Sequence, residues 1–434
     1  MLTFVRKLFI MTSSYFIKKN YKFIVFRKLI IVSLLIGFLS SLLAVSLKKI
    51  TEYLEEIFFL KSEQNWLYLL IFPLVGLSAI YFLRFYLFKN KENKGIKEIF
   101  EATASKTKNL PSYKISSHFI NGLITVIFGG STGIEVSTVV ASAAIGSIAQ
   151  QKENLFRKYK TELICAGVAA GVTALFGSPA AGILFALEVI AKKANRTFFL
   201  TNGIAVLTAS ALVFILDEQP LFAITVKIWH LHAIPWFIVL GIIAGMNSVY
   251  LTRSVLFIKA SFLKITKSYT KIIIGAIVLS CSLIVLPQLY GDGYHAVKTI
   301  FYHSSQIPLT LPLAITILSI LILKPIVTSV TLAAGGDGGV FAPSLFLGAF
   351  LGFLIAIVLN TYFEADVIPL NFMVIGMAAM LSASIHAPFT ALFLVCSLIG
   401  DYTLFFPILI ACLVSKYTSK LIYPYTVYTY VTVK

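Results

Sequence analysis

The sequence predicts an all-α polytopic membrane protein built from two inverted-topology repeats of tilted and broken helices. Three observations carry that prediction. Of 434 residues, 58% are hydrophobic and only 12% are charged, whereas soluble domains carry roughly a quarter. Apolar segments follow one another along the whole chain, and several are shorter than the roughly 20 helical residues a bilayer crossing takes. Finally, three sequence elements recur in the same order in the two halves. Gly129-Gly130-Ser131-Thr132-Gly133 returns as Gly335-Gly336-Asp337-Gly338-Gly339. SPAAGILFALEVI (178–190) returns as APFTALFLVCSLI (387–399), and NKGIKEI (93–99) is echoed by GDGYHAV (291–297).

Residues 1–28 read as a basic cytoplasmic lead-in. Their apolar runs are short, no A-x-A-like cleavage site follows, and Lys18, Lys19 and Lys22 argue against a signal peptide. A single transmembrane domain is expected over 29–434, its first half at about 29–215 and its second at about 233–430. Apolar segments of the first half lie at 29–46, 65–88, 116–128, 134–150, 162–176, 179–191 and 199–215. Those of the second lie at 233–252, 271–288, 309–323, 325–334, 340–359, 367–382, 388–399 and 403–415. Gly and Pro interrupt many of them, as in half-helices that meet inside a transporter.

The net charge of +18 does not describe a nucleic-acid-binding face, because Lys and Arg cluster at the ends of apolar segments. The basic loops Arg84–Lys114, Lys152–Lys160, Lys192–Arg196 and Arg253–Lys271, with the Lys416/Lys420 tail, are expected in the cytoplasm. Both termini follow them there, while the loops around Asp217–Glu218 and Gln288–Gln306 face outward. This orientation suits a multi-pass protein of the bacterial cytoplasmic (inner) membrane. Cys165, Cys281, Cys396 and Cys412 are scattered through apolar stretches with no CxxC pair, and the six histidines have no ligand spacing. No metal and no cofactor is expected.

The stretch FGGSTGIEVSTVVASAAIG (128–146) concentrates the chemistry. Between Lys114 and Lys152 the only formally charged residue is Glu135. An ionisable residue at membrane depth marks a functional site by default, although a satisfied structural carboxylate is the bland alternative. Gly-rich backbone at that depth is tolerated where it is buried or lines a cavity. A helix start offers unpaired N–H groups and the positive end of the dipole, so a glycine-led start is an anion site. Two such starts, Gly133-Ile134-Glu135 and Gly339-Val340-Phe341, hold equivalent places in the two halves. If they converge, their amides surround a small anion. Glu135 competes for that place when ionised and leaves it when protonated.

These motifs make the chain resemble the CLC family of chloride channels and anion/proton exchangers, of the prokaryotic type without CBS domains. TLAAGGDGGVFAPSLFLGAFLG (331–352) is similar to the family's GGxGGxFAP signature, and Gly133-Ile134-Glu135-Val136-Ser137 falls on its Gly-Arg/Lys-Glu-Gly-Pro motif. AGILFALE (181–188), SIHAPFTALFLV (384–395) and PYTVYT (424–429) also fit. The resemblance implies a homodimer with one pore per subunit, Glu135 as gate, Val340 and Phe341 as amide donors and Tyr428 as a hydroxyl donor. It covers nearly the whole chain.

The departures are specific. The family's Gly-Ser-Gly-Ile-Pro falls on Asn93-Lys94-Gly95-Ile96-Lys97, so Lys94 either supplies a positive charge to the anion or snorkels to water. His118 stands where the family usually has lysine. The pair after GILFxx reads Glu188-Val189, so the inner proton-relay glutamate is replaced by Val189, and Glu188 is expected to pair with a basic group. The reading is therefore transport of chloride or a similar monovalent anion, leaning to a channel-like or loosely coupled conductor. A proton-coupled chloride exchanger, a fluoride exporter of the same fold and an unrelated inverted-repeat secondary transporter are the alternatives. A membrane-embedded hydrolase would want a cluster such as H-E-x-x-H, which is missing.

Overall fold

A computed structural model describes residues 2–430 except Glu92, Lys106, Glu153, Ser305 and Gln306, and leaves the side chains of 2–22, Asn154 and Leu155 undescribed. Met1, the segment 431–434, the lysines of the basic lead-in and the Gln306 boundary of the outer loop thus lie outside the described residues or side chains.

The chain is a stack of sixteen α-helices among the described residues. The first half runs α1 (Leu2–Gln64), α2 (Leu67–Tyr86), α3 (Ile96–Ala104), α4 (Tyr113–Ile127), α5 (Glu135–Gln151), α6 (Lys160–Phe176), α7 (Pro179–Phe185) and α8 (Arg196–Ile215). The second runs α9 (Ile234–Leu263), α10 (Ser268–Val285), α11 (Tyr294–His303), α12 (Leu311–Ala334), α13 (Phe341–Tyr362), α14 (Pro369–Ile385), α15 (Pro388–Ile399) and α16 (Phe405–Ile422). Nine helical stretches of the described residues are long and apolar enough to cross a membrane. Nine of the sixteen helices begin with Pro among their first two residues or follow Gly, Ser, Thr or Asn at the cap, residues suited to helix starts.

Three stretches take a form that the apolar pattern does not display. No break in the backbone separates residue 28 from 29, because α1 runs unbroken over Leu2–Gln64. Segments 309–323 and 325–334 form one helix, with Pro325 inside it. A membrane helix tolerates such a proline when neighbours satisfy the freed groups. The echoed motifs 93–99 and 291–297 are starts of the short helices α3 and α11, capped by Gly95 and Gly293 with φ of 65° and 84°. A left-handed cap is what glycine adopts without penalty.

The repeats pack alike. α5 lies on α6, and α13 on α14. A Cβ added at Gly167 or Gly171 would strike Ser142, and one at Gly348 or Gly352 would strike the backbone of Gly376 or Phe372. Small residues four apart let these membrane helices approach closely. α7 packs on α15, as the second repeated motif requires, and Ser178 Oγ reaches the Phe393 carbonyl at 3.3 Å.

Candidate functional site

The two glycine-rich loops meet. Gly133 and Gly339 form an antiparallel bridge, which places the starts of α5 and α13 side by side. A Cβ at Gly133 would run into the Glu135 carboxylate and the Ala342 Cβ; one at Gly339 would meet Val136 and, at 3.2 Å, Tyr428 Oη. α3 reaches the same point, since a Cβ at Gly95 would rest on Val136 Cγ1 at 3.4 Å. Three helix starts thus gather around Val136, each aiming unpaired N–H groups inward.

Glu135 is the first residue of α5 and is 2% exposed. Its Oε1 accepts a hydrogen bond from Tyr294 Oη at 2.7 Å. Its Oε2 has no hydrogen-bond partner, and the amides of Glu135 and Ala342 face the carboxylate. Ile134, Val340 and Phe341 are buried beside it. Tyr428 lies on a turn after α16 where Thr429 N donates to the Thr426 carbonyl at 3.2 Å. Its ring is 6% exposed and its hydroxyl, buried and without a partner, lies toward the Gly339–Val340 backbone. Tyr423, Tyr425 and Tyr430 instead pack on one another.

Not every candidate joins this cluster. Ile96 is buried, but the Lys94 side chain is exposed and its N–H donates to Glu98 Oε1 at 2.5 Å. A hydrated ammonium on a flexible stem stays in water when it can. Asn93 takes the inward place, donating to Asp337 Oδ2 at 2.8 Å and accepting from Lys114 Nζ at 3.1 Å. His118, fully buried, sits with Nδ1 2.9 Å from the same Asp337 oxygen, at an angle that makes no hydrogen bond. Asp337 therefore ties the glycine loop of the second half to α3 and α4 of the first. Val189 is buried in the wider helical turn 186–191 after α7. Among the described residues Glu188 pairs with no basic group: its Oε2 accepts from Thr390 N at 2.8 Å and Thr390 Oγ1 at 2.7 Å. The start of α15 supplies the donors a carboxylate wants, so no cation is required.

Sequence patterns missed part of the site. Tyr294, at the start of α11, touches the Glu135 carboxylate directly. Its backbone N–H donates to Asp292 Oδ1 at 2.8 Å. Lys324, fully buried in the middle of α12, donates to the carbonyls of Leu289 and Gly291 at 3.4 and 3.3 Å and lies 4.5 Å from the Phe346 ring centroid. The signal was available: Lys324 is a charge inside a long apolar stretch, and Asp292 and Tyr294 lie in a repeated motif. A cavity of about 40 Å³ lined by Lys48, Glu52, Glu135, Asp292 and Tyr294 leads to the carboxylate and is large enough for water.

Inverted helix pairs whose glycine-led starts meet around a buried carboxylate define a membrane-embedded anion transporter. Residues 75–420 match the family described as voltage gated chloride channel, and the chain belongs to that family. It is 26% identical over 343 residues to the voltage-gated ClC-type chloride channel ClcB of Escherichia coli, covering 77% of each chain. It is 25% identical over 357 residues to a putative chloride channel protein ClcB-like of Ralstonia nicotianae, covering 80% of each. Its fold is similar to that of a CLC-type fluoride/proton antiporter (TM-score 0.77, 24% identity, 92% of this chain and 96% of that one). A slow cyanobacterial Cl-/H+ antiporter is similar too (TM-score 0.77, 18% identity, 93% and 97%).

Proposed function

We propose that the protein conducts chloride or a similar monovalent anion through the meeting point of α3, α5 and α13, with Glu135 as its gate. One observation carries this reading: the buried carboxylate of Glu135 lies at the α5 start, where backbone amides would otherwise hold an anion. Ionised, it competes for those amides; protonated, it loses that attraction and yields the place. Ile96, Val340 and Phe341 supply backbone donors and Tyr428 supplies the hydroxyl.

Val189 supports a channel-like or loosely coupled conductor, because a valine can neither accept nor release a proton on the way inward. Proton-coupled exchange is the second reading. The water-sized cavity beside Glu135 favours it by opening a route for protons, as do the fluoride/proton and Cl-/H+ antiporters of similar fold. Fluoride is the alternative cargo. The working unit is a homodimer in the bacterial cytoplasmic membrane with both termini in the cytoplasm.

The test is purified protein in liposomes under an imposed chloride or fluoride gradient, with anion efflux and proton uptake recorded together. Anion efflux without uphill proton movement is expected. Robust proton pumping establishes exchange instead, and no flux of either anion overturns both readings.

A further inference from the structure

We infer that Tyr294 is the latch of the gate: its hydroxyl holds the Glu135 carboxylate in the closed position and sets how readily acid opens the pore. This rests on Glu135 being the gate and names the residue that positions it. The contact joins two distant helix starts, with Tyr294 Oη donating to Glu135 Oε1 at 2.7 Å in a buried setting. A hydrogen bond to an ionised acceptor is among the stronger kinds, and it weakens when the carboxylate takes up a proton.

The two ends of the contact differ in freedom. Tyr294 is fixed on three sides. Asp292 Oδ1 caps its backbone N–H at 2.8 Å. Gly293, in the left-handed region, turns the chain into α11 with no room for a Cβ against the Phe346 ring. The Tyr294 ring stands edge-on to Phe222 at 5.7 Å and 90°, and Phe222 N in turn donates to the Leu398 carbonyl at 3.0 Å. Glu135, by contrast, has one oxygen on Tyr294 and the other without a hydrogen bond. When the contact breaks, the carboxylate is the partner that moves. The neighbouring charged and titratable groups are Asp292 before α11, Lys324 of α12, Tyr428 of the tail, and Lys48, Glu52 and Glu55 of α1. None of these forms a hydrogen bond or close ion pair with Glu135, so among the described residues Tyr294 makes the side-chain hydrogen bond that opening must break, beside the amides of Glu135 and Ala342 that face the carboxylate.

The experiment is anion flux through full-length protein in liposomes between pH 4.5 and 8 for native protein, Tyr294→Phe, Glu135→Gln and the double variant. Tyr294→Phe keeps the ring and removes only the hydroxyl. Its flux at neutral pH is expected to rise roughly tenfold, with the half-maximal flux moving to a pH about one unit higher. In the Glu135→Gln background the same change is expected to alter flux less than about twofold, because the charged partner is gone. A purely structural role predicts the opposite pattern, an equal fall of flux in both backgrounds, and that result overturns the latch. An unchanged pH profile in Tyr294→Phe overturns it as well, while Glu135→Gln still responds. If Glu135→Gln itself keeps the native pH dependence, the gate assignment fails and not merely the latch. Should Tyr294→Phe assemble poorly, Phe222→Leu provides the second arm. It removes the ring that stands edge-on to Tyr294 without changing a charge, and the latch requires the same direction of pH change at smaller size.

Discussion

The start of α5 and the start of α13 are the same structural device used twice. Each follows a helix that ends in a glycine loop, and the loops join at the Gly133–Gly339 bridge. At the equivalent position one carries Glu135 and the other Phe341. The shared part makes a polarised pocket from backbone alone, which needs only glycine and a helix start. On the proposed reading the unequal residue turns a pocket into a gate, because a carboxylate is an anion of the protein's own. Phe341 instead packs on Phe185, ring centroids 5.6 Å apart, and closes the other wall with apolar surface. Symmetry builds the site, and its breaking gives the site a state that can change.

Erasing the difference should have the largest effect. Glu135→Gln has the shape of the acid without its charge, so anion flux is expected to persist with its pH dependence largely lost and no proton movement coupled to it. Flux assays across pH on reconstituted protein check this, and a folded but silent variant would show that Glu135 is not the gate. Attacking the shared part comes next. Gly339→Ala puts a methyl against Val136 and the Tyr428 hydroxyl, so anion affinity is expected to fall by more than about tenfold, the scale of losing one good polar contact and its geometry. Calorimetric titration with chloride measures it, and unaltered affinity would mean that the loops do not form the pocket. A smaller loss, about 0.5–1.5 kcal/mol for one neutral hydrogen bond, is expected for Tyr428→Phe. Tyr430→Phe, whose ring belongs to the outer aromatic cluster, is expected to change nothing.

How much of this is legible in the sequence follows from which patterns are periodic and which are contacts. The two halves, the loop pair and Glu135 are legible because repetition and a lone charge stand out against apolar background. The bundle itself follows from hydropathy. Tyr294 is not, because GDGYHAVKTI reads as a polar outer loop, and only the fold brings α11 back over α5. Lys324 divided an apolar stretch and so suggested a break, whereas its ammonium is turned to two carbonyls and a ring inside one continuous helix. Glu188 suggested a basic partner because charge pairs are the familiar solution. The start of α15 provides the same stabilisation through amides, which no side-chain pattern advertises.

The smallest expected effect sharpens the comparison at the outer margin of the site, where the paired motifs differ in charge. The segment at α11 carries Asp292, and its counterpart at α3 carries Lys97. Burial, followed by the like charge of Lys259, lowers the Lys97 ammonium from 10.5 to about 8. Lys97 is therefore mostly charged at pH 7 and mostly neutral at pH 9. A partly buried positive charge one residue beyond Ile96 attracts anions to that mouth, and such steering acts on rates more than on affinity. Initial anion uptake from that side is expected to fall roughly twofold between pH 7 and 9 at low salt, and to lose the fall at high salt as screening takes over. Measured on Glu135→Gln, the assay is free of the gate's own response to pH. Lys97→Arg keeps the charge throughout this range and should hold uptake at its pH 7 level, and Lys97→Met should start at the pH 9 level. A native-like decline in Lys97→Arg would assign the titration to another group and leave the two mouths electrostatically alike.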